Sequence, residues 1–312
     1  MSNLKVIGHI NPDTDSTVSP IVYAWFLNEY KQISAKPYLS GEPNKEALYV
    51  LNKFQFEKPE ILTSFNEDDK LVLIDTNNLD ELLIGADKAE IVEIVDHHKL
   101  FGNIFTSSPI KVTIKPLASV ATVIYELIKN ENVTISQNIA GLLLAAIISD
   151  TLKFTSPTTT EVDIQIAKEL SSISNTNIDE LSSEMFSAKS DLTGMSIDDI
   201  LHVDSKIFEI NSQKIRISVL ETTKPENALL VVDELISRMN QLKQEENLTG
   251  ILFYVVDILN TSSKVVLASQ FERNLVVKAH SVSYDASVKF INLPGVVSRK
   301  KQIVPNIERA LG

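Results

Sequence analysis

An α/β chain is expected, with a mostly parallel N-terminal sheet flanked by helices and a smaller C-terminal α/β domain, on three observations. The chain has 312 residues, room for about two ordinary domains, each with its own core. Short β-branched runs alternate with helix-spaced segments through the first half, the pattern of strands joined by crossover helices. Those runs are apolar nearly throughout rather than alternating, which suits strands covered on both faces.

In chain order, residues 4–10, 71–75, 91–96 and 111–115 read as strands rich in Val and Ile. Residues 20–30, 45–54 and 120–129 have the length and spacing of helices. Residues 137–148 are almost all apolar and predict a buried helix ending near Ser149-Asp150. A further helix over 160–171 follows Thr158-Thr159-Thr160-Glu161, whose side chains suit an N-terminal cap. Ser187-Ala188-Lys189-Ser190-Asp191-Leu192-Thr193-Gly194 is polar and reads as a linker. The expected division is therefore a first domain over 1–187, a linker over 188–195 and a second domain over 196–312. Within the second, strands are expected at 206–210, 214–220, 248–259 and 264–271, with one long helix over 225–245. A shorter strand and a closing helix through 307–311 complete it.

Composition removes several classes of function. The 29 Lys+Arg against 41 Asp+Glu give a net charge of −12, which counts against a groove that tracks nucleic-acid phosphates. A small anionic substrate is still permitted, because a few focused cations can invert the local field. There is no cysteine, so disulfides, thiolate nucleophiles, sulfur-based zinc sites and iron–sulfur clusters are excluded. The N-terminus meets polar residues too soon for a signal peptide, and the longest apolar stretch, 139–148, is far short of the ~20 residues that span a bilayer. A cytoplasmic protein with neither a membrane nor a nucleic acid as partner is the expectation.

Four clusters of His and Asp fall at ends of apolar elements. They are Gly8-His9-Ile10-Asn11-Pro12-Asp13-Thr14-Asp15-Ser16, then Asp75, then Asp96-His97-His98, and finally Asp150. Ligands of open parallel sheets bind outside the carboxyl ends of the strands. Several carboxylates gathered there would repel one another unless a cation sat among them. Imidazole nitrogen with carboxylate oxygen and no sulfur suits manganese or cobalt. The six candidates His9, Asp13, Asp15, Asp75, His97 and Asp150 exceed the needs of one tetrahedral ion and suit two ions sharing a carboxylate. Each aspartate alone could equally be a helix cap, and Asn11-Pro12-Asp13 could be simple turn chemistry. His97 and His98 read either as a solvated loop pair, since adjacent residues in extended chain point opposite ways, or as one imidazole on a metal and one facing substrate, which the same geometry allows. Three of the 5 histidines lie in these clusters, which weighs against coincidence. Ser298-Arg299-Lys300-Lys301-Gln302 is a compact cationic run, read either as a solvated loop or as a phosphate grip. Lys206 by itself is indistinguishable from an ordinary edge lysine.

His9-Ile10-Asn11-Pro12-Asp13-Thr14-Asp15-Ser16, Asp75, Asp96-His97-His98 and Ser149-Asp150-Thr151 resemble the four motifs of the DHH phosphoesterase superfamily. Ser298-Arg299-Lys300-Lys301-Gln302 resembles the C-terminal signature of its family II inorganic pyrophosphatases. The resemblance implies a two-domain, homodimeric, cytoplasmic enzyme, its active site between the domains. It would hydrolyse pyrophosphate to two phosphates with a two-metal-activated water. Two Mn2+ or Co2+ per subunit are implied, with additional Mg2+ accompanying the substrate. His9 and Asp13 would hold one ion, Asp15 and His97 the other, with Asp75 bridging and Asp150 completing the set. His98, Lys206, Arg299 and Lys300 would bind the phosphates, and Asp96 would orient an imidazole. The span from Asp96 to Asp150 is too short for the nucleotide-sensing insertion of some relatives, so no adenine-nucleotide regulation of that kind is expected. Three rivals stay open at this point: an oligonucleotide nuclease or cyclic-dinucleotide phosphodiesterase of the same superfamily, an exopolyphosphatase, and a non-catalytic regulator. The first carries a Gly-Gly-Gly-His element, and this chain of 9 glycines has no such run.

Overall fold

The computed structural model describes residues 4–283, 285 and 287–312 and divides into two units, Met1–Ala188 and Lys189–Gly312. In the first, β1 (Leu4–Ile7) leads to α1 (Thr14–Lys31), then β2 (Ala35–Leu39), α2 (Lys45–Lys53), β3 (Glu60–Ile61), β4 (Lys70–Ile74), β5 (Glu90–Asp96) and β6 (Lys111–Ile114). Four helices follow: α3 (Val120–Asn130), α4 (Gln137–Asp150), α5 (Glu161–Ser174) and α6 (Ile178–Lys189). The six strands are ordered β3-β2-β1-β4-β5-β6, and every pairing is parallel. The order reverses between β1 and β4, and such a reversal opens a crevice at the strands' carboxyl ends.

Apolar runs make this sheet because both faces are covered. Val6, Val72, Ile74 and Val95 pack with α1, α3 and α4 on one side. Ile7, Leu71, Leu73, Ile91 and Ile94 pack with Phe65 and Leu82 on the other. The apolar α4 is buried from Ile139 to Ser149, as its composition predicts. α5 starts on a capping box in which Thr160 and Asp163 satisfy one another's backbone N–H.

Several expectations need correction. The first helix begins at Thr14, not at residue 20, and buries Thr14, Asp15, Ser16, Thr17 and Ser19. Those polar residues hide its amphipathic pattern. The strand β2 carries Lys36 and Pro37, residues that argue against a strand by composition, and only its pairing to β1 and β3 makes it one. The proposed linker overlaps the last turn of α6, which runs through Lys189.

The second unit comprises α7 (Ile197–His202), β7 (Ser205–Ile210), β8 (Gln213–Thr222), α8 (Pro225–Leu229), α9 (Val232–Glu245), β9 (Gly250–Asp257), β10 (Ser262–Val266), α10 (Gln270–His280), β11 (Phe290–Pro294) and α11 (Val304–Leu311). Its strands are ordered β11-β10-β9-β8-β7. Only β8 and β9 pair in parallel; the other pairs are antiparallel. All eight residues of β9 are buried, which explains why it reads as an unbroken apolar run. The single helix expected over 225–245 is interrupted between α8 and α9. The strand expected over 264–271 stops at Val266, because Ser269 caps α10 through the N–H of Phe271. No helix among the described residues is long and apolar enough to cross a membrane.

Candidate metal centre

The switch-point crevice of the first unit collects the candidate ligands. His9 follows β1, Asp75 follows β4, and Asp96 closes β5 with His97 and His98 behind it. Asp13 caps α1 by accepting the N–H of Ser16 at 2.9 Å, so the bland capping role is real and coexists with a place in the cluster. Asp15 lies in the first turn of α1 and Asp150 is the last residue of α4 rather than beyond it. Close approach of β1 to α1 depends on Gly8, where a Cβ would stand 2.1 Å from Ser16 Oγ.

Three groups of ligand atoms fall within 4.8 Å of one another: His9, Asp13 and Asp75; Asp15, His97 and Asp150; and Asp75, Asp96, His97 and His98. The two oxygens of Asp75 face different imidazoles. Oδ2 lies 3.4 Å from His9 Nε2 and Oδ1 lies 3.1 Å from His97 Nε2. Asp75 adopts a left-handed backbone (φ 66°), a conformation that aspartate tolerates better than bulkier residues do. The cavity beside them measures about 200 Å3, and its lining includes no lysine or arginine.

Each imidazole is aimed from behind. His9 Nδ1 stands 2.8 Å from the carbonyl of Ile10 and His97 Nδ1 3.0 Å from that of Leu117. A carbonyl can only accept, so both Nδ1 atoms carry hydrogen, and the Nε2 atoms that face the carboxylates are the ones left to ligate a metal once they give up their protons. The segment that supplies Leu117 is itself pinned. Buried Asp163 accepts from the N–H of Ala118 at 3.2 Å and from Thr122 Oγ1 at 2.6 Å. The next residues hold Asp15, which accepts from Ser119 Oγ at 2.6 Å and Val120 N–H at 2.7 Å.

His97 and His98 do not point opposite ways. Asp96, fully buried, accepts both of their backbone N–H groups at 2.7 and 3.2 Å, which bends the chain out of extension. The rings then lie side by side, their centroids 4.2 Å apart. Asp96 also holds His98 Nδ1 at 2.9 Å, as an orienting carboxylate would. Asn77, which no sequence signal marks, donates to Asp96 and accepts the N–H of Phe101 at 2.9 Å.

The charges are in conflict without a cation. Burial pushes Asp15 and Asp150 above the usual carboxylate range, and the neighbouring carboxylates push them further. Burial alone would lower His9, but the hydrogen bonds and charges of Asp13 and Asp75 overrule it and raise it to about 11. The same competition, with Asp75 foremost, raises His97 to about 9. Burial likewise opposes ionisation of Asp96, yet hydrogen bonds from His98 and Asn77 hold it below its ordinary value. Oxygen and nitrogen donors crowded around a cavity with no permanent cation fit hard-to-borderline divalent ions.

The remaining candidates lie in the second unit. Arg299 opens a π-helical turn over Arg299–Ile303, closed by the N–H of Ile303 onto Ser298 O at 3.0 Å. Its guanidinium pairs with Asp204 at 2.7 Å, while Lys300 and Lys206 are exposed. Arg299 and Lys300, with Ser298 and Lys301, border a cavity of about 330 Å3. Lys206 is on β7, opposite Ile217, and is not part of that lining. Gln302 braces the loop: Oε1 accepts the N–H groups of Val297 and Ser298, each at 2.9 Å, and Nε2 donates to Gly295 O at 2.7 Å.

Comparison with known sequences matches the chain in two parts. The profile described as "DHH family, N-terminal domain" matches residues 3–147 and that described as "DHHA2 domain" matches residues 183–310. A Bacillus licheniformis protein named "Probable manganese-dependent inorganic pyrophosphatase" is 38% identical over 312 residues, covering 100% of this chain and 99% of that one. The chain belongs to the DHH/DHHA2 family II manganese-dependent inorganic pyrophosphatases. A family member of the same name from Staphylococcus haemolyticus is 34% identical over 311 residues, covering 100% of this chain and 99% of its own. Among solved structures, a Methanococcus jannaschii protein assigned to the family II inorganic pyrophosphatases superposes with a TM-score of 0.70 at 33% identity, covering 99% of both chains.

Proposed function

We propose that this chain hydrolyses inorganic pyrophosphate to two phosphates, using two Mn2+ or Co2+ ions per chain and a substrate that arrives with Mg2+. One observation carries the reading: the two oxygens of Asp75 face His9 and His97 separately, the disposition of a carboxylate shared between two ions. In this reading His9 and Asp13 hold one ion, Asp15 and His97 the other, Asp75 lies between and Asp150 completes the set. When bound, such ions supply Lewis acidity toward phosphate oxygens and acidify a water enough for it to serve as nucleophile near neutral pH.

The protein's own side chains do the rest. The carbonyls of Ile10 and Leu117 keep the Nδ1 protons in place, so His9 and His97 present Nε2 without rotating. Asp96, held ionised, keeps a proton on His98 Nδ1 and favours its cationic form, suited to a phosphate oxygen. Arg299, Lys300 and Lys206 neutralise charge on the phosphoryl and leaving oxygens. Because Arg299 is paired with Asp204, phosphate must compete with a carboxylate for its guanidinium. The same reading makes the protein a cytoplasmic homodimer, with residues 188–195 as the segment joining the two domains.

Phosphate release by chelator-stripped protein tests the reading, with Mn2+, Co2+ or Mg2+ returned and with tripolyphosphate and a linear dinucleotide offered beside pyrophosphate. Pyrophosphate hydrolysis restored most strongly by Mn2+ or Co2+ is expected. Preference for either other substrate, or silence with every metal, contradicts it.

A further inference from the structure

We infer that Glu46 is a positioning residue for the metal centre, fastening the start of α1 to the end of α4 through two side-chain hydroxyls. The inference rests on the reading of Asp13, Asp15 and Asp150 as ligands. Glu46 lies in the first turn of α2 and is fully buried. Its Oε2 accepts from Thr14 Oγ1 at 2.8 Å and from Ser149 Oγ at 2.7 Å. Thr14 sits between Asp13 and Asp15, and Ser149 directly precedes Asp150. Both hydroxyl residues are buried as well. The other oxygen, Oε1, has no hydrogen-bond partner among the described residues.

Packing alone gives no reason for a carboxylate here. The rest of α2 buries Ala47, Val50 and Leu51, and an apolar side chain of similar size would fill the site without desolvating a charge. What Glu46 adds is one acceptor atom serving two donors that come from segments 32 and 103 residues away. That is a constraint on distance. Asp15 and Asp150 come together where the start of α1 meets the end of α4, so the spacing of those two helix ends sets the spacing of the ligands. A shared acceptor fixes that spacing before any metal arrives, so the metal meets a formed site. Groups standing behind ligands in this way commonly change metal affinity by about 10–100-fold when removed.

The test is calorimetric titration of Mn2+ into chelator-stripped full-length protein, beside circular dichroism and thermal melts of the metal-free chains. Glu46→Ala should weaken Mn2+ binding by about 10–100-fold, whereas Glu46→Gln, which keeps a carbonyl acceptor, should stay within about threefold of wild type. Thr14→Val and Ser149→Ala should each weaken binding, and Ser149→Ala should add little to Glu46→Ala, because both break one linkage. A folded Glu46→Ala chain that binds Mn2+ as wild type does overturns the proposal, as does Glu46→Gln as weak as Glu46→Ala. If Glu46→Ala fails to fold, the hydroxyl variants decide: weakening in both supports the linkage, and unchanged affinity in either overturns it. A purely structural glutamate would lower the melting temperature and leave the Mn2+ dissociation constant alone. Wild-type protein that binds no Mn2+ overturns the metal-site reading and this proposal with it; wild-type binding with indifferent Glu46 variants overturns this proposal alone.

Discussion

The acidic cluster of the first unit and the cationic loop of the second solve opposite problems. Asp15, Asp75 and Asp96 are buried at the ends of a two-sided parallel sheet, each held by hydrogen bonds or facing an imidazole. Lys300 and Lys301 stand exposed on a short π-turn whose main brace is Gln302. Desolvating like charges is costly, so the first arrangement is stable only through a partner of opposite sign, and its geometry must be built in advance. Solvated cations cost little, so the second can be left loose and can meet a multiply charged anion wherever it lies. The difference implies a division of effects. Damage to the cluster should abolish metal binding and turnover together, whereas damage to the loop should raise KM and leave metal content intact.

The sharpest way to break this division is Asp75→Asn. Turnover should fall by more than the about 10²–10³-fold typical of losing one charge-stabilising donor, and Mn2+ bound per chain should drop by mass spectrometry. Normal metal content with lost turnover would mean that Asp75 is not shared between ions. Next, Lys300→Ala should raise KM for pyrophosphate by roughly 10-fold or more, as expected for a lost charged contact to phosphate, with Mn2+ affinity by calorimetry unchanged. An equal fall in metal affinity would erase the contrast between the two regions.

The pH dependence sharpens the same comparison. In the metal-free chain His9 and His97 keep their protons to about pH 11 and about pH 9, yet each must surrender its Nε2 proton to a metal. Mn2+ affinity measured between pH 6 and 8 should therefore rise by about tenfold per pH unit for each proton displaced. Folding stability without metal should move the other way. Groups raised above an ordinary value of 6.5 stabilise the fold fully below that pH and lose the contribution as pH rises through their folded values. Melts of stripped and Mn2+-loaded protein across this range should diverge, and parallel curves would contradict the proton–metal exchange. The smallest effect is expected from Gln302→Ala, a few-fold rise in KM at constant Mn2+ affinity, because three hydrogen bonds of the loop are lost while its charges remain.

Sequence legibility followed the same line. The placement of His9, Asp75 and His97 is legible because the apolar runs reveal where strands end, and these residues follow them. Their aim was not readable. The carbonyls of Ile10 and Leu117 that orient the imidazoles belong to residues whose type carries no signal, and the bend that brings His97 and His98 side by side is made by backbone N–H groups on Asp96. Glu46 was invisible for another reason: a glutamate in the first turn of a helix reads as a complement to the helix dipole. The start of α1 carries no helical signal because its first turns bury polar residues, Thr14 to Thr17 and Ser19. In the second unit the apolar run carries the expected strand through Phe271, across the Ser269 cap and into the first two residues of α10.

The most direct test of the shared-carboxylate account is to count Mn2+ in the reconstituted wild-type protein and to record its electron paramagnetic resonance spectrum. Two ions per chain with the signature of magnetic coupling are expected if Asp75 joins them. One ion per chain, or two that behave independently, would contradict it.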